Sequence, residues 1–151
     1  MSTRNGIPQL FSDEELKKTI SFTYNALIDG DLEGALSLCT EDVVLHWESY
    51  VFKGRDGIRK WIEDIREMFP IMRIIEKGYT AKGNHVFHQF LLDFTMANRR
   101  QGLLQIATRY TLRGRKIQIV SIFLGLGFLI LNEKEEHRGL GYSVKNRQFR
   151  F

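Results

Sequence analysis

The order of elements written into residues 22–69, together with the run of strands after Pro70, restricts this chain more than any single residue does. Phe22 to Phe69 reads as a helix, a Gly30-Asp31-Leu32 corner, a short second helix, a strand, a Gly-rich turn and a long helix. Beyond Pro70 come four strand-like runs with no helix among them. A helical layer succeeded by an antiparallel meander buries its apolar surface by curling the sheet over the helices, and such an arrangement usually encloses a pocket. The expected class is α+β: a cone-shaped, curved antiparallel sheet wrapped over N-terminal helices, enclosing an apolar pocket.

Local signals support each element. Ser12-Asp13-Glu14-Glu15 forms a capping box, and its acidic residues suit a helix N-terminus. Asp31 is placed to cap a short helix whose inner side is Leu32, Ala35, Leu36 and Cys39. Val43 to Trp47 is β-rich. Ile58, Trp61, Ile62, Ile65, Met68 and Phe69 recur at helical spacing opposite charged residues, and Pro70 ends that helix. The later strands are expected at about Ile71–Ala81, His85–Ala97, Gly102–Arg113 and Lys116–Leu124, joined by turns rich in Gly and Asn.

A chain of 151 residues fits one domain. Residues 1–11 read as an N-terminal arm, 12–125 as the cone domain and 126–151 as a C-terminal extension, first apolar and then basic. No structure is expected over 132–151. The net charge of +4 rests partly on Arg138, Lys145, Arg147 and Arg150. That tail mixes bases with Tyr142, Phe149 and Phe151, but the domain before it carries no basic stripe, so nucleic acid is not an expected partner. Cys39 is the single cysteine, which excludes an intramolecular disulfide and a cysteine-cluster metal site. No His, Asp or Glu spacing suggests a metal, and no cofactor is expected. The apolar run Ile119–Leu131 is broken by Ser121, Gly125 and Gly127 and falls short of the roughly 20 residues of a spanning helix, so no membrane partner is expected. The polar Met1–Ser12 stretch lacks a signal-peptide core, which suggests a cytoplasmic protein.

The chain resembles the nuclear-transport-factor-2-like superfamily, and within it the SnoaL-like polyketide cyclase and ketosteroid isomerase branch. The likeness lies in Ala26-Leu27-Ile28-Asp29-Gly30-Asp31-Leu32-Glu33-Gly34, Thr40-Glu41-Asp42-Val43-Val44, Gly54-Arg55-Asp56-Gly57-Ile58-Arg59 and Tyr110-Thr111-Leu112-Arg113-Gly114. The resemblance implies a cone fold, a small hydrophobic molecule as ligand, and a homodimer formed through the convex face bearing Phe87, Gln89, Leu91, Asp93 and Thr95. It also places Thr23, Trp47 and Thr108 where the steroid isomerases carry a Tyr and two Asp. Steroid isomerisation is therefore not expected. In the branch similar to scytalone dehydratase an inner-strand His pairs with an Asp; His88 matches the His, while Ile28 falls at the Asp position and Asp29 one residue away.

Strand alternation, anchored on Trp47 and Thr108, turns Leu45, Leu104, Ile106 and Tyr110 inward. On the longest strand it turns Val86, His88, Phe90, Leu92 and Phe94 the same way. His88 is the candidate catalytic acid/base, with Thr23, Trp47, Tyr50, Phe90, Leu92, Thr108 and Tyr110 as candidate ligand-binding residues. Apolar surroundings disfavour an imidazolium and suit His88 to base chemistry; the competing reading is a core histidine bonded to a Tyr or Thr hydroxyl. No carboxylate partner for it is evident in the sequence. Two functions fit these residues. One is a SnoaL-like protein binding or transforming a small hydrophobic molecule, as a cofactor-free isomerase, cyclase or lyase. The other is a non-catalytic dimerisation or adaptor module whose pocket is filled by its own side chains.

Overall fold

Ser12 starts the first helix as the sequence predicts. Its hydroxyl accepts from the Glu15 amide at 3.2 Å, while the Glu15 carboxylate accepts from the Ser12 amide at 2.9 Å. Two donors that a helix N-terminus leaves open are thereby satisfied. The computed structural model describes the backbone of residues 3–4, 7–8, 11–131 and 143–144, and the side chains of residues 11–125. Helix α1 covers Asp13–Thr23 and runs without a break into a π-turn at Tyr24–Asp29. Gly30, at φ 67°, ends that turn in the left-handed region, and Asp31 caps α2 (Leu32–Ser37) by accepting from the Gly34 amide at 2.9 Å. Helix α3 (Gly54–Met68) buries Ile58, Trp61, Ile62 and Ile65. Its Arg66 donates to the Leu27 carbonyl at 2.9 Å and so ties α3 to the π-turn.

Six strands form one curved, open sheet: β1 (Cys39–Trp47), β2 (Tyr50–Lys53), β3 (Ile71–Lys82), β4 (His85–Thr95), β5 (Gln101–Arg113) and β6 (Lys116–Leu131). Their order is β2-β1-β6-β5-β4-β3, with β1 and β6 parallel and every other pair antiparallel. The helices cover one face. Between the two layers lies a single apolar core that includes Phe22, Val43, Leu45, Ile58, Ile65, Phe69, Phe94 and Tyr110. Among the described residues no helix is long and apolar enough to cross a membrane.

The structure departs from the sequence reading in four places within the main sheet. Cys39 begins β1 rather than lining α2. Strand β2 was not expected, because the two-residue loop before it, Glu48-Ser49, contains no glycine; Glu48 itself takes φ 57°. Strand β4 stops at Thr95, short of Ala97. Strand β6 continues past the expected boundary at Gly125, pairing Leu104, Leu103, Gly102 and Gln101 with Phe128, Leu129, Ile130 and Leu131. The apolar segment is thus part of the sheet, which explains why it holds no charge. Ser143–Val144 pairs with Leu129 and Ile130, correcting the expectation of no structure over 132–151; the other residues of that tail, its basic ones included, lie outside the described residues. In the N-terminal arm, Thr3–Arg4 pairs with Ile7–Pro8, and the remaining residues up to 10 lie outside the described ones.

Candidate functional site

Cross-strand register draws several of the candidate residues into one line. Tyr50, Trp47, Ile122, Thr108, His88 and Tyr79 are paired in succession across all six strands, so their side chains share the inner face. Phe90 and Leu92 come after His88 on that face of β4, and Tyr110 comes after Thr108 on β5; all three are buried. Tyr50 stands apart: it is exposed on β2, the edge strand farthest from β3.

Around Tyr110 the interior is closed by its own side chains. The Tyr110 and Thr23 hydroxyls hydrogen-bond to each other, and burial pushes the Tyr110 phenol well above its ordinary range. Phe22 stacks on Trp61 at 6.4 Å and meets Tyr110 edge-on at 6.0 Å, while Trp47 lies 6.0 Å from Trp61. These rings occupy the space between α1, α3 and the sheet.

At the β3 edge the chemistry is different. His88, 0% exposed, places Nε2 at 2.9 and 3.1 Å from the two Glu76 oxygens. The Tyr24 hydroxyl donates to the same Glu76 carboxylate at 2.5 Å. The expectation that His88 lacks a carboxylate is therefore corrected. A β-bulge explains both the arrangement and the omission. Glu76 pairs with Phe90 and Gly78 with Gln89, leaving Lys77 as the extra residue. Counting by twos from Tyr79 and Ala81 puts Glu76 on the outer face; the inserted residue turns it inward. Gly78, at φ 153°, was the legible signal, since a glycine inside a strand often marks such a bulge. The π-turn completes the set: where α1 gives way to it, Thr23 reaches Tyr110 while Tyr24, the next residue, reaches Glu76. Turns of this kind are frequent at functional sites.

Burial alone would raise the Glu76 carboxyl. The hydrogen bonds from Tyr24 and His88, with the Gly78 amide, outweigh it and hold the group below its ordinary value. Tyr24 is raised, first by burial and then by the adjacent Glu76. Glu76 is thus an anion whose side chain is 37% exposed, standing between solvent and a fully buried imidazole. Because a carboxylate only accepts, Nε2 carries the proton of this contact. Nδ1 of His88 is buried and has no hydrogen-bond partner among the described residues. In the neutral ring it holds a free lone pair, fixed in tautomer and orientation by Glu76. That is the arrangement of a general base backed by an anion.

No group of His, Cys, Asp and Glu able to hold a metal occurs among the described residues. Cys39 is buried, which pushes its thiol up to about 12 and leaves it inert as a nucleophile. His46 is exposed on the outer face, and His85 bonds the Thr111 hydroxyl at 3.1 Å.

A family model described as a SnoaL-like domain matches residues 22–123. A comparison with curated proteins gives no match. Solved structures share the fold at low identity. An NTF2-like protein from Anabaena variabilis superposes with a TM-score of 0.68 at 19% identity, covering 80% of this chain and 96% of that one. A protein with a ketosteroid isomerase-like fold from Catenulispora acidiphila, in complex with trimethylamine, gives 0.65 at 15%, covering 74% and 87%. TerC, co-crystallised with polyporic acid, gives 0.65 at 19%, covering 83% and 97%.

Proposed function

Because the chain belongs to the SnoaL-like domain family, we propose that it binds a small, largely apolar molecule beside His88 and moves a proton on it without a cofactor, as an isomerase, cyclase or lyase. The observation that carries this reading is the Glu76–His88 contact, with the buried Nδ1 free of protein partners among the described residues. His88 takes a proton from ligand carbon or oxygen through Nδ1. Glu76 stabilises the resulting imidazolium, and Tyr24 fixes the carboxylate. Thr108, the cross-strand neighbour of His88, is the nearest candidate to orient a ligand oxygen. The relatives bound to trimethylamine and polyporic acid support a small-molecule role but name no substrate for this chain. Native mass spectrometry of the purified protein, together with a crystal structure of any adduct, tests the proposal. It expects a ligand atom within hydrogen-bond reach of Nδ1 and weakened binding in His88→Gln. A ligand bound with no contact to the His88–Glu76 pair overturns it.

The packed interior around Phe22, Trp61 and Tyr110 favours a second reading, a non-catalytic module that fills its own cone. It predicts no co-purifying molecule. A homodimer through Phe87, Gln89 and Leu91 accompanies either reading: Leu91→Lys is expected to yield monomers on sedimentation, and an unchanged size counts against that interface.

A further inference from the structure

The π-turn that carries Tyr24 distributes its backbone hydrogen bonds in an unusual way. In an α-helix the Leu27 carbonyl would accept from the amide four residues on, that of Asp31. Here the Asp31 amide donates to the Asn25 carbonyl instead, at 2.9 Å, and the Gly30 amide donates to the same oxygen. The Leu32 amide, next along the chain, goes to the Gly30 carbonyl at 3.1 Å. Both amides are thus drawn away from Leu27. Arg66, in the last turn of α3, takes their place and donates from Nη1 to the Leu27 carbonyl at 2.9 Å. The contact is partly buried, where an unpaired carbonyl would be costly.

Gly30 makes room for this approach. A Cβ there would stand 3.1 Å from Nη2 and 3.3 Å from Cζ of Arg66. Arg73, Arg113 and Arg115 each hold a carboxylate, whereas Arg66 holds none among the described residues. Its polar partner is the turn itself.

We propose that Arg66 is a positioning residue for the Glu76–His88 pair, acting through the π-turn and Tyr24. By satisfying the Leu27 carbonyl, the guanidinium favours the widened turn over the α-helical register, in which the Asp31 amide would return to that oxygen. The widened turn is the one in which Thr23 reaches Tyr110 and Tyr24 reaches Glu76. Among the described residues Arg66 makes no hydrogen bond or ion pair with Glu76 or His88; its influence runs along the backbone from Leu27 to Tyr24. The inference rests on the reading of Glu76 as the anion behind His88, and adds to it the α3 residue that keeps Tyr24 within reach.

Carbon-13 NMR titration of the Glu76 carboxyl in the full chain, arranged as a double-mutant cycle, tests the assignment. Tyr24→Phe removes the donor and should raise the Glu76 midpoint by about half a pH unit or more. Arg66→Gln should raise it in the same direction. In the Tyr24→Phe background Arg66→Gln should add nothing, since its effect passes through that hydroxyl. Arg66→Met, which keeps the aliphatic stem and loses the donors, takes the same place in the cycle if the first variant does not fold. A midpoint unmoved by Arg66→Gln, even with a lower melting temperature, would make Arg66 a structural tie only and overturn the proposal. An equal rise in both backgrounds, the mark of a direct charge effect, would overturn it too, as would a midpoint indifferent to Tyr24→Phe. The Glu76–His88 reading would survive each of these results; it fails separately, if the His88 ring nitrogens do not respond to Glu76→Gln.

Discussion

The interior around Tyr110 and the β3 edge around Glu76 use the same inner face of the sheet and do opposite things with it. Near Tyr110 the polar groups are neutral and pair with one another: Thr23 with Tyr110, enclosed by Phe22, Trp61 and Trp47. Near Glu76 a charged group is partly open to solvent and tied to an imidazole whose second nitrogen has no partner among the described residues. The first region is arranged for packing, because the two hydroxyls satisfy each other at little electrostatic cost. The second keeps a partly exposed anion against a buried imidazole, at the electrostatic cost that the first region avoids.

Substitutions should separate the two regions in both stability and function. Trp61→Ala removes a buried ring that touches both Phe22 and Trp47, and should cost about 3–5 kcal/mol in denaturant unfolding. A loss under about 1 kcal/mol would mean that the interior is loosely filled, which would weaken the contrast. Tyr110→Phe leaves the Thr23 hydroxyl buried without its mate and should cost about 1–3 kcal/mol. Its effect on ligand binding should be smaller than that of any change at His88.

Glu76→Gln should change stability least and function most. The side chain is partly exposed, so solvent screening keeps its contribution under about 1 kcal/mol. Its pH dependence has a definite sign. The folded carboxyl lies below its ordinary value of 4.5, so its contribution is fully present above that value and is lost as the pH falls through the lower, folded one. Melting temperatures of the wild type and Glu76→Gln should therefore differ most above about pH 5 and converge in stronger acid. Curves that diverge on acidification would contradict the assignment of Glu76 as a stabilised anion.

These two regions also differ in how far they could be read from sequence. Apolar alternation on β4 turned His88, Phe90 and Leu92 inward, and on β5 alternation from Thr108, whose inward setting the family resemblance implied, did the same for Tyr110; all five are buried, since a period of two holds wherever the ladder is regular. On β3 the same rule would set Glu76 outward, because Lys77 interrupts the ladder and reverses the faces of Met72, Ile74 and Glu76. Tyr24 was passed over for a related reason, because the switch from an α-helix to a π-turn changes the angular step between neighbouring side chains. Strand β2 went unseen because Glu48 occupies a turn position where glycine or asparagine would have signalled a hairpin. Each omission lies at a local break in a regular period, and two of the breaks carry the residues around His88.

Imidazole ¹⁵N NMR of His88, in the wild type and in Glu76→Gln, tests the central claim most directly. With the ring neutral, the structure predicts a proton on Nε2 and a bare Nδ1 in the wild type, since Glu76 accepts from Nε2. The substitution should loosen that preference. A proton found on Nδ1, or a tautomer indifferent to Glu76→Gln, would show that Glu76 does not set the proton on His88, and the account of this site as an anion-backed base would fail.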